Sequence, residues 1–271
     1  VTQRPVFGLH EIYPKMMGAQ VQLLELTPEL GFDVDAWCAA MAREPKLAFL
    51  PNPSNPVGCM LDMAQFSQVL EATPDSTVLV VDEAYYEYAL HDEHYPDVLA
   101  MLATRAGPWI VLRTFSKAWG LAGLRVGYGM ADNAELVALM DKVRSPFNVN
   151  QAAQRAALAA WNDPTHMRSG VAATVALREA LRQQLTALAA PDQPLRGLRI
   201  APSVANFLFL DIGRPNDPVT EALLRQGVII KPWKEPGFEH FLRVSIGNDN
   251  DNARFVQALL TAMAHTESAT A

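Results

Sequence analysis

A lysine, two hydroxyl side chains and an arginine follow one short apolar run of this sequence. Residues 109–112 predict a buried strand, and Thr114, Ser116, Lys117 and Arg125 come after it. Ligands of open α/β sheets bind beyond the carboxyl ends of the strands. Hydroxyls and a guanidinium suit a phosphate, and a lysine suits a covalent bond to a carbonyl carbon. The pattern predicts a site for pyridoxal 5'-phosphate (PLP), although a solvated surface lysine explains Lys117 taken alone.

An aspartate ends a second apolar run, residues 77–81. Asp82 has three interpretations: the magnesium ligand of a P-loop ATPase, the N-cap of a helix, or the carboxylate that keeps a pyridine nitrogen protonated. The first needs the loop G-x-x-x-x-G-K-[ST], which is absent from the sequence. Given Lys117, we favour the pyridine partner, and Tyr85 then brings a phenol near the ring hydroxyl of the cofactor.

Two further polar side chains lie beside predicted strands. Asn55 belongs to the Pro- and Asn-rich loop at residues 51–58, where its amide either forms an Asx turn or donates to the ring oxygen of a cofactor. Arg243 lies in the alternating apolar run at residues 241–246, where an unpaired arginine costs stability. The charge of this arginine is compensated in one of three ways: by a substrate carboxylate, by an internal ion pair, or by a snorkelling position at the sheet edge. The local sequence does not distinguish them.

The order of the predicted elements indicates the fold. Strands alternate with helices up to residue 162, which predicts an α/β large domain, residues 1–162, around a mostly parallel sheet covered on both faces. Its helix at residues 132–143 begins at Asp132 as a candidate N-cap. A long helix from residue 166 leads into a smaller α+β domain, residues 163–271, with a closing helix and predicted strands at residues 198–200, 205–210, 228–230 and 241–246.

Bulk composition limits the classes of function. The 271 residues are 50% hydrophobic and carry a net charge of −7 without a basic segment, which argues against nucleic acid and anionic membrane as partners. The sequence shows neither an apolar run long enough to span a bilayer nor a signal peptide. Two cysteines, Cys38 and Cys59, favour a reducing cytoplasm over a disulfide framework.

The sequence predicts no metal site. Neither cysteine has a second ligand at metal spacing, and the run at residues 91–94 lacks the helical spacing of zinc ligands, so it indicates a solvated loop. His10, His166, His240 and His265 are scattered and indicate no site. The start at Val1, without an initiator methionine, predicts a sequence that begins inside a longer domain.

Four segments together resemble the histidinol-phosphate aminotransferase branch of the fold-type I PLP enzymes. They are NPSNPVG at residues 52–58, VDEAYYEY at 81–88, RTFSKAWGLAGLR at 113–125 and LRVSIG at 242–247. The segments follow the order and spacing of that family across nearly the whole chain. The resemblance implies PLP as the cofactor and a fold-type I PLP-transferase large domain.

The resemblance also implies a role for each candidate residue. Lys117 would bond to the cofactor aldehyde and later move a proton between the substrate Cα and the cofactor C4' atom. Asp82 would pair with the pyridinium nitrogen and, with Lys117 and Tyr85, form the catalytic set. The remaining contacts would be to the ring oxygen (Asn55, Tyr85), the phosphate (Thr114, Ser116, Arg125) and the ring face (Phe7).

Substrate binding is implied for Arg243, at the carboxylate or the equivalent end of the substrate, and for Lys231. The family often has arginine where Lys231 stands, and lysine keeps the charge but lacks the planar fork for a distal phosphate. Val57 replaces a usual threonine, a change expected to be tolerated. The family's N-terminal segment, which helps to bind the cofactor phosphate and reaches the neighbouring subunit, has no counterpart here, so the chain alone is expected to be catalytically incomplete.

The resulting prediction is a cytoplasmic, homodimeric, PLP-dependent aminotransferase. Its amino donor would be histidinol phosphate and its acceptor a 2-oxo acid, 2-oxoglutarate, in histidine biosynthesis. Two enzyme alternatives share the scaffold: an aminotransferase for aromatic or other amino acids, and a PLP-dependent decarboxylase. The non-enzymatic alternative is a binding module or an inactive fragment, and the intact Lys117 argues against it.

Overall fold

The computed structural model describes residues 1–268, with side chains described up to residue 264. The chain divides into two units. Unit 1 comprises residues 1–55 and 59–171, and unit 2 comprises residues 56–58 and the chain from residue 172 onwards. A boundary between separately folding domains at residue 162 stays a prediction, because the grouping of contacts does not test independent folding.

Unit 1 is built on a four-stranded sheet whose apolar runs are buried on both faces. Leu79, Val81 and Val111 lie on one face and have no exposed surface, whereas Val80 and Ile110 lie on the other face and are 4% and 9% exposed. In chain order, the strands of unit 1 are β1 (Thr2–Gln3), β2 (Leu23–Leu24), β3 (Leu47–Pro51), β4 (Val78–Asp82), β5 (Trp109–Thr114) and β6 (Gly127–Ala131). The sheet has the order β3-β4-β5-β6, with the first three strands parallel and β6 antiparallel to β5. The predicted α/β fold with a mostly parallel sheet is therefore confirmed.

The parallel strands bring three carboxyl ends to one edge of this sheet. In the register, Pro51 lies beside Asp82, and Asp82 lies beside Leu112. The segments that leave β3, β4 and β5 therefore start at the same edge, and they carry Asn55, Tyr85 and residues 114–117. This is the edge at which ligands of such sheets bind.

Polar caps start most helices of unit 1. Side-chain oxygens of Asp33, Asp62, Asp97, Asn133 and Asn150 accept hydrogen bonds from backbone N–H groups three residues later. The helices that begin in unit 1 are α1 (Leu9–Met16), α2 (Val34–Met41), α3 (Met63–Ala72), α4 (Tyr86–Ala89), α5 (Val98–Leu102), α6 (Ala134–Val143), α7 (Gln151–Trp161) and α8 (Pro164–Leu188). Of these, α8 continues into unit 2.

The prediction of Asp132 as the N-cap of α6 is wrong by one residue. Asn133 caps the helix, because its Oδ1 accepts the N–H of Leu136 at 2.8 Å. The carboxylate of Asp132 instead accepts a hydrogen bond from the Asn133 amide at 2.7 Å. Both side chains are good caps, and the sequence alone does not say which of them leaves the helical conformation.

Unit 2 contains an antiparallel sheet, the C-terminal part of α8 and two further helices among the described residues. Its elements are β7 (Arg199–Ile200), β8 (Phe207–Asp211), α9 (Asn216–Arg225), β9 (Lys231–Pro232), β10 (Phe241–Ser245) and α10 (Asp249–Ser268). The strand order is β7-β8-β10-β9, and the buried side chains of Leu208, Leu210, Leu242 and Leu259 contribute to its core. Within the described residues, no helix combines the length and the hydropathy that crossing a membrane requires.

The predicted strand at residues 228–230 is wrong. Gly227, with a φ of 72°, ends α9, and the N–H of Val228 donates back to Leu223 O at 3.0 Å. This helix-ending contact uses the backbone that a strand would need. The ladder with β10 starts only at Lys231, which lies opposite Arg243.

Candidate active site at the carboxyl ends of the parallel strands

A pocket of about 340 Å³ opens in unit 1 at the carboxyl ends of β3, β4 and β5. Its volume is typical of small-molecule sites. This unit 1 pocket brings together all the residues that the sequence predicts for cofactor binding: Phe7, Asn55, Asp82, Tyr85, Thr114, Ser116, Lys117 and Arg125. The two predicted substrate residues, Lys231 and Arg243, line a pocket of unit 2 instead.

The carboxylate of Asp82, at the end of β4, is held by two neighbours. Nε2 of His10 lies 3.0 Å from Oδ2, and the backbone N–H of Ala84 donates to Oδ1 at 3.0 Å. The N-cap of α4 is Tyr85, so Asp82 is not a helix cap. A carboxylate accepts about four hydrogen bonds, so Asp82 keeps acceptor capacity for a donor in the pocket.

His10 is a site residue that sequence reasoning missed. The ring is buried on α1, stacks on Phe49 with centroids 5.5 Å apart, and meets the ring of Phe7 edge-on at 5.7 Å. Phe7 precedes the N-cap Gly8 of α1, so no helical spacing relates the two side chains, and only the three-dimensional contact with Asp82 reveals the role of His10. His10 therefore does not belong with the scattered histidines that indicate no site.

Lys117 lies in a tight turn that follows β5. Thr114 Oγ1 accepts the N–H of Ser116 at 3.0 Å, and the N–H of Gly120 donates to Lys117 O at 3.0 Å. Gly120 has a φ of 72°, a conformation that glycine adopts without steric cost. The turn places Lys117 Nζ 5.3 Å from the centroid of the Tyr85 ring. The amine and the phenol predicted to act together are therefore neighbours.

Arg125 lines the pocket from an unusual backbone conformation. It follows the 3₁₀ turn Ala122–Leu124 with a φ of 55°, in the left-handed region that few residues other than glycine adopt. Its Nη1 donates to Ala122 O at 2.7 Å. Strained backbone of this kind concentrates at ligand sites. Arg125, Lys117 and Arg113 all line the unit 1 pocket, and their positive charges suit an anionic ligand.

A buried ion pair joins the ends of β4 and β5. Arg113, which also lines the pocket, donates from Nε and Nη2 to Oε2 of Glu83, both at 2.8 Å. Burial raises the pKa of Glu83, and the guanidinium of Arg113 opposes that rise. The hydroxyl oxygen of Tyr95 lies 2.9 Å from Glu83 Oε1 and 2.6 Å from the carbonyl oxygen of Asn52. These four residues, Asn52, Glu83, Tyr95 and Arg113, form the Glu83 network.

The unit 2 pocket, of about 490 Å³, contains a pair of cations. Arg243 on β10 and Lys231 on β9 are directly opposite in an antiparallel pair, so their side chains point to the same face of the sheet. The guanidinium of Arg243 also lies 5.1 Å from the centroid of the Phe207 ring. Two cations on one face suit a carboxylate or a phosphate.

Known proteins resemble this chain over almost its whole length. The family model for aminotransferase class I and II matches residues 1–259. Histidinol-phosphate aminotransferase 3 of Rhizobium meliloti is 46% identical over 259 residues, which cover 96% of this chain and 68% of that relative. Histidinol-phosphate aminotransferase 1 of Mesorhizobium japonicum is 47% identical over 261 residues, with the same two shares covered.

A solved structure shows the same fold. The crystal structure of histidinol-phosphate aminotransferase from Sinorhizobium meliloti in complex with pyridoxal-5'-phosphate matches with a TM-score of 0.84 and 26% sequence identity. The match covers 98% of this chain and 70% of that one. These likenesses confirm the resemblance read from the four sequence segments. The chain belongs to the family of class I and II aminotransferases.

Proposed function

We propose that this chain is a PLP-dependent aminotransferase that moves an amino group from histidinol phosphate to a 2-oxo acid. The observation that carries the proposal is the unit 1 pocket, where an amine, an acid, hydroxyls and an arginine line one cavity. Membership of the aminotransferase family supports the reaction class. The names of two relatives support the substrate, and the complex of a third with PLP supports the cofactor.

The side chains of the unit 1 pocket fit PLP part by part. Asp82 suits the pyridine nitrogen, since its present contacts leave lone pairs available. Thr114, Ser116 and Arg125 supply neutral and charged donors for a phosphate. The ring of Phe7, which is 43% exposed, offers an aromatic face for stacking on the cofactor ring. The donor set and its charge therefore match this cofactor.

Each protein group has a defined task in the proposed reaction. When bound, PLP supplies an electron sink for the bond that breaks at the substrate Cα. Lys117 would hold the cofactor through its aldehyde carbon, and its free Nζ would carry a proton between the substrate Cα and the cofactor C4'. Asp82 holds a proton on the pyridine nitrogen, because a nearby carboxylate favours the charged ring. Tyr85 and Asn55 donate hydrogen bonds to the ring oxygen.

His10 has the task of positioning Asp82. Its ring is held by contacts with Phe49 and Phe7, so its Nε2 meets the carboxylate from one side only. Together with the Ala84 N–H on the other oxygen, this contact restricts rotation of the carboxylate. A group that is already held in the right orientation lowers the entropic cost of reaching the transition state.

Both proposed substrates are anions, and the unit 2 pocket is proposed to recognise them. Arg243 would bind the carboxylate of the 2-oxo acid or the phosphate of the amino donor, since a guanidinium binds either with two parallel hydrogen bonds. Lys231, opposite it on β9, would add a second positive charge for the distal phosphate. A lysine lacks the fork of an arginine, so its contact with phosphate is less directional.

A homodimer is the proposed assembly and the cytoplasm the proposed location. Large apolar side chains of unit 1 are strongly exposed, among them Met16, Met17, Val143 and Phe147, and contact with a second subunit would cover such surface. The two free cysteines, Cys38 and Cys59, are compatible with a reducing compartment. Sedimentation at two protein concentrations measures the assembly directly, and a monomer at both would contradict it.

The experiment that tests the proposed function is the visible absorption spectrum of the chain mixed with PLP. We expect a yellow band that disappears when L-histidinol phosphate is added and returns with 2-oxoglutarate. A band that responds only to another amino acid keeps the reaction class and replaces the substrate, whereas release of CO₂ would identify a decarboxylase. A chain that never becomes yellow with PLP would contradict the proposal.

A further inference from the structure

Three groups of the unit 1 pocket follow three different strands. Asn55 comes after β3, Asp82 ends β4, and Lys117 comes after β5. Their spacing therefore depends on how the strand ends are held where the sheet ladder stops. The last backbone contacts are Asn52 N–H to Asp82 O at 3.0 Å and Glu83 N–H to Leu112 O at 2.9 Å. Beyond these bonds, side-chain contacts join the three segments to one another.

The Glu83 network connects all three strand ends. Glu83 directly follows Asp82, Arg113 directly precedes Thr114, and Asn52 begins the loop that carries Asn55. The ion pair of Glu83 and Arg113 ties β4 to β5, and the Tyr95 hydroxyl ties this pair to the loop after β3. The guanidinium of Arg113 is further fixed by the ring of Tyr86, whose centroid lies 3.5 Å from Cζ.

The contacts of this network are strong and restrictive. Glu83 has no exposed surface and Tyr95 is 8% exposed, so water competes little for their hydrogen bonds. The Tyr95 hydroxyl has one hydrogen and lies near two acceptors, Asn52 O and Glu83 Oε1. The phenol therefore couples the position of the loop backbone to the position of the carboxylate.

We propose that Glu83, Arg113 and Tyr95 are positioning residues that set the spacing of Asn55, Asp82 and Lys117 for the cofactor. The inference rests on the proposed function, because it concerns the binding of PLP. An ion pair with a purely structural role would stabilise the chain without a specific effect on cofactor affinity. The two roles are therefore separable by measuring stability and affinity on the same variants.

Thr77 provides a matched control at the opposite edge of the same sheet. It precedes β4, has no exposed surface, and its Oγ1 donates to the carbonyl oxygen of Pro45 at 2.6 Å. Tyr95→Phe and Thr77→Val each remove one buried hydroxyl that lies 2.6 Å from a carbonyl oxygen. Tyr95 lies at the carboxyl edge of the sheet, where the pocket is, and Thr77 lies at the amino edge.

The experiment measures the melting temperature without cofactor and the Kd for PLP from an absorbance titration. We expect similar losses of melting temperature in the two variants, because each loses one buried hydrogen bond. Tyr95→Phe should raise the Kd about tenfold, which corresponds to one hydrogen bond. Thr77→Val should leave it within about twofold, since the pocket lies at the other edge. Equal changes in Kd for both variants, or none for Tyr95→Phe, would overturn the inference.

Two more variants test the centre of the network. Glu83→Gln removes the charge that pairs with Arg113, and we expect a larger rise of the Kd for PLP than in Tyr95→Phe. Arg113→Lys keeps a positive charge but has fewer donors, so its Kd should lie between those of Glu83→Gln and the wild-type chain. A wild-type chain that binds PLP while Glu83→Gln, still folded, binds it equally well would contradict the inference alone. A wild-type chain that binds no PLP would contradict the proposed function itself.

Discussion

Asp82 of the unit 1 pocket and Lys231 of the unit 2 pocket differ in how their charged side chains are supported. Asp82 in unit 1 is held by His10 and by a backbone N–H, and the buried Glu83 network lies next to it. In unit 2, Lys231 is exposed on a two-residue strand at the edge of its sheet. A supported group is already ordered when a ligand arrives, whereas an exposed lysine loses side-chain entropy on binding. The carboxylate of Asp82 is therefore ordered for one role, whereas a substitution at Lys231 changes an exposed side chain without disturbing buried contacts.

Removal of the Lys117 amine from the unit 1 pocket should lower turnover more than any other substitution proposed below. We expect Lys117→Ala to lower kcat at least about 10³-fold, because it removes both the covalent partner and the proton carrier. Lys142→Ala on α6, an exposed lysine outside the pocket, is the control and should leave turnover unchanged. Turnover and the melting temperature are measured on both. A Lys117→Ala chain with normal turnover would remove the basis of the proposed mechanism.

The second prediction concerns the acid of the same pocket. Asp82→Asn keeps the shape and the acceptor for the Ala84 N–H but loses the negative charge. We expect kcat to fall about 10²-fold, in the range found when a preorganised electrostatic contact is lost, with less than about a tenfold rise in the Kd for PLP. Single-turnover rates and absorbance titration measure the two quantities. An unchanged kcat would mean that Asp82 does not act on the ring nitrogen.

The contrast between the pockets also explains which parts were predictable from sequence. The fold and the positions of Asp82, Thr114 and Lys117 follow from local patterns, because each parallel strand is an uninterrupted apolar run that ends in polar residues. The carboxyl ends of parallel strands necessarily meet at one edge. A group of such polar residues therefore predicts a site without knowledge of long-range contacts.

The contacts that support the site were not predictable in the same way. His10 lies 72 positions before Asp82 in the sequence, and nothing in its local pattern distinguishes it from a solvated histidine. Glu83 and Tyr95 similarly depend on which buried atoms meet in three dimensions. In unit 2, the strand predicted at residues 228–230 competes with the helix-ending contact of Gly227, and that contact prevails.

In the unit 2 pocket, substitution of Arg243 should change the kinetic parameters more than substitution of Lys231. We expect Arg243→Met to lower kcat/KM for the 2-oxo acid about 10- to 100-fold, mainly through KM, because a charged hydrogen-bonding partner is lost. Arg254→Met is a matched control, since Arg254 lines the same pocket but is exposed and donates to Gln226 O at 2.9 Å. Steady-state kinetics on both variants provides the measurement. If Arg243→Met and Arg254→Met have equal effects, Arg243 has no special role in substrate binding.

The smallest effect is expected at Lys231, and it tests how easily the unit 2 pocket changes its preference. Lys231→Arg restores the planar fork, so we expect KM for histidinol phosphate to fall about three- to tenfold through bidentate binding of the phosphate. For an amino donor without a phosphate, KM should stay unchanged in Lys231→Arg. Lys231→Met should raise KM for histidinol phosphate. Parallel kinetics with the two classes of donor distinguishes phosphate recognition from a general gain in activity. Lys231 is exposed on an edge strand, so the longer arginine side chain fits without repacking of its neighbours. An equal change of KM for both classes of donor would show that Lys231 does not contact the phosphate.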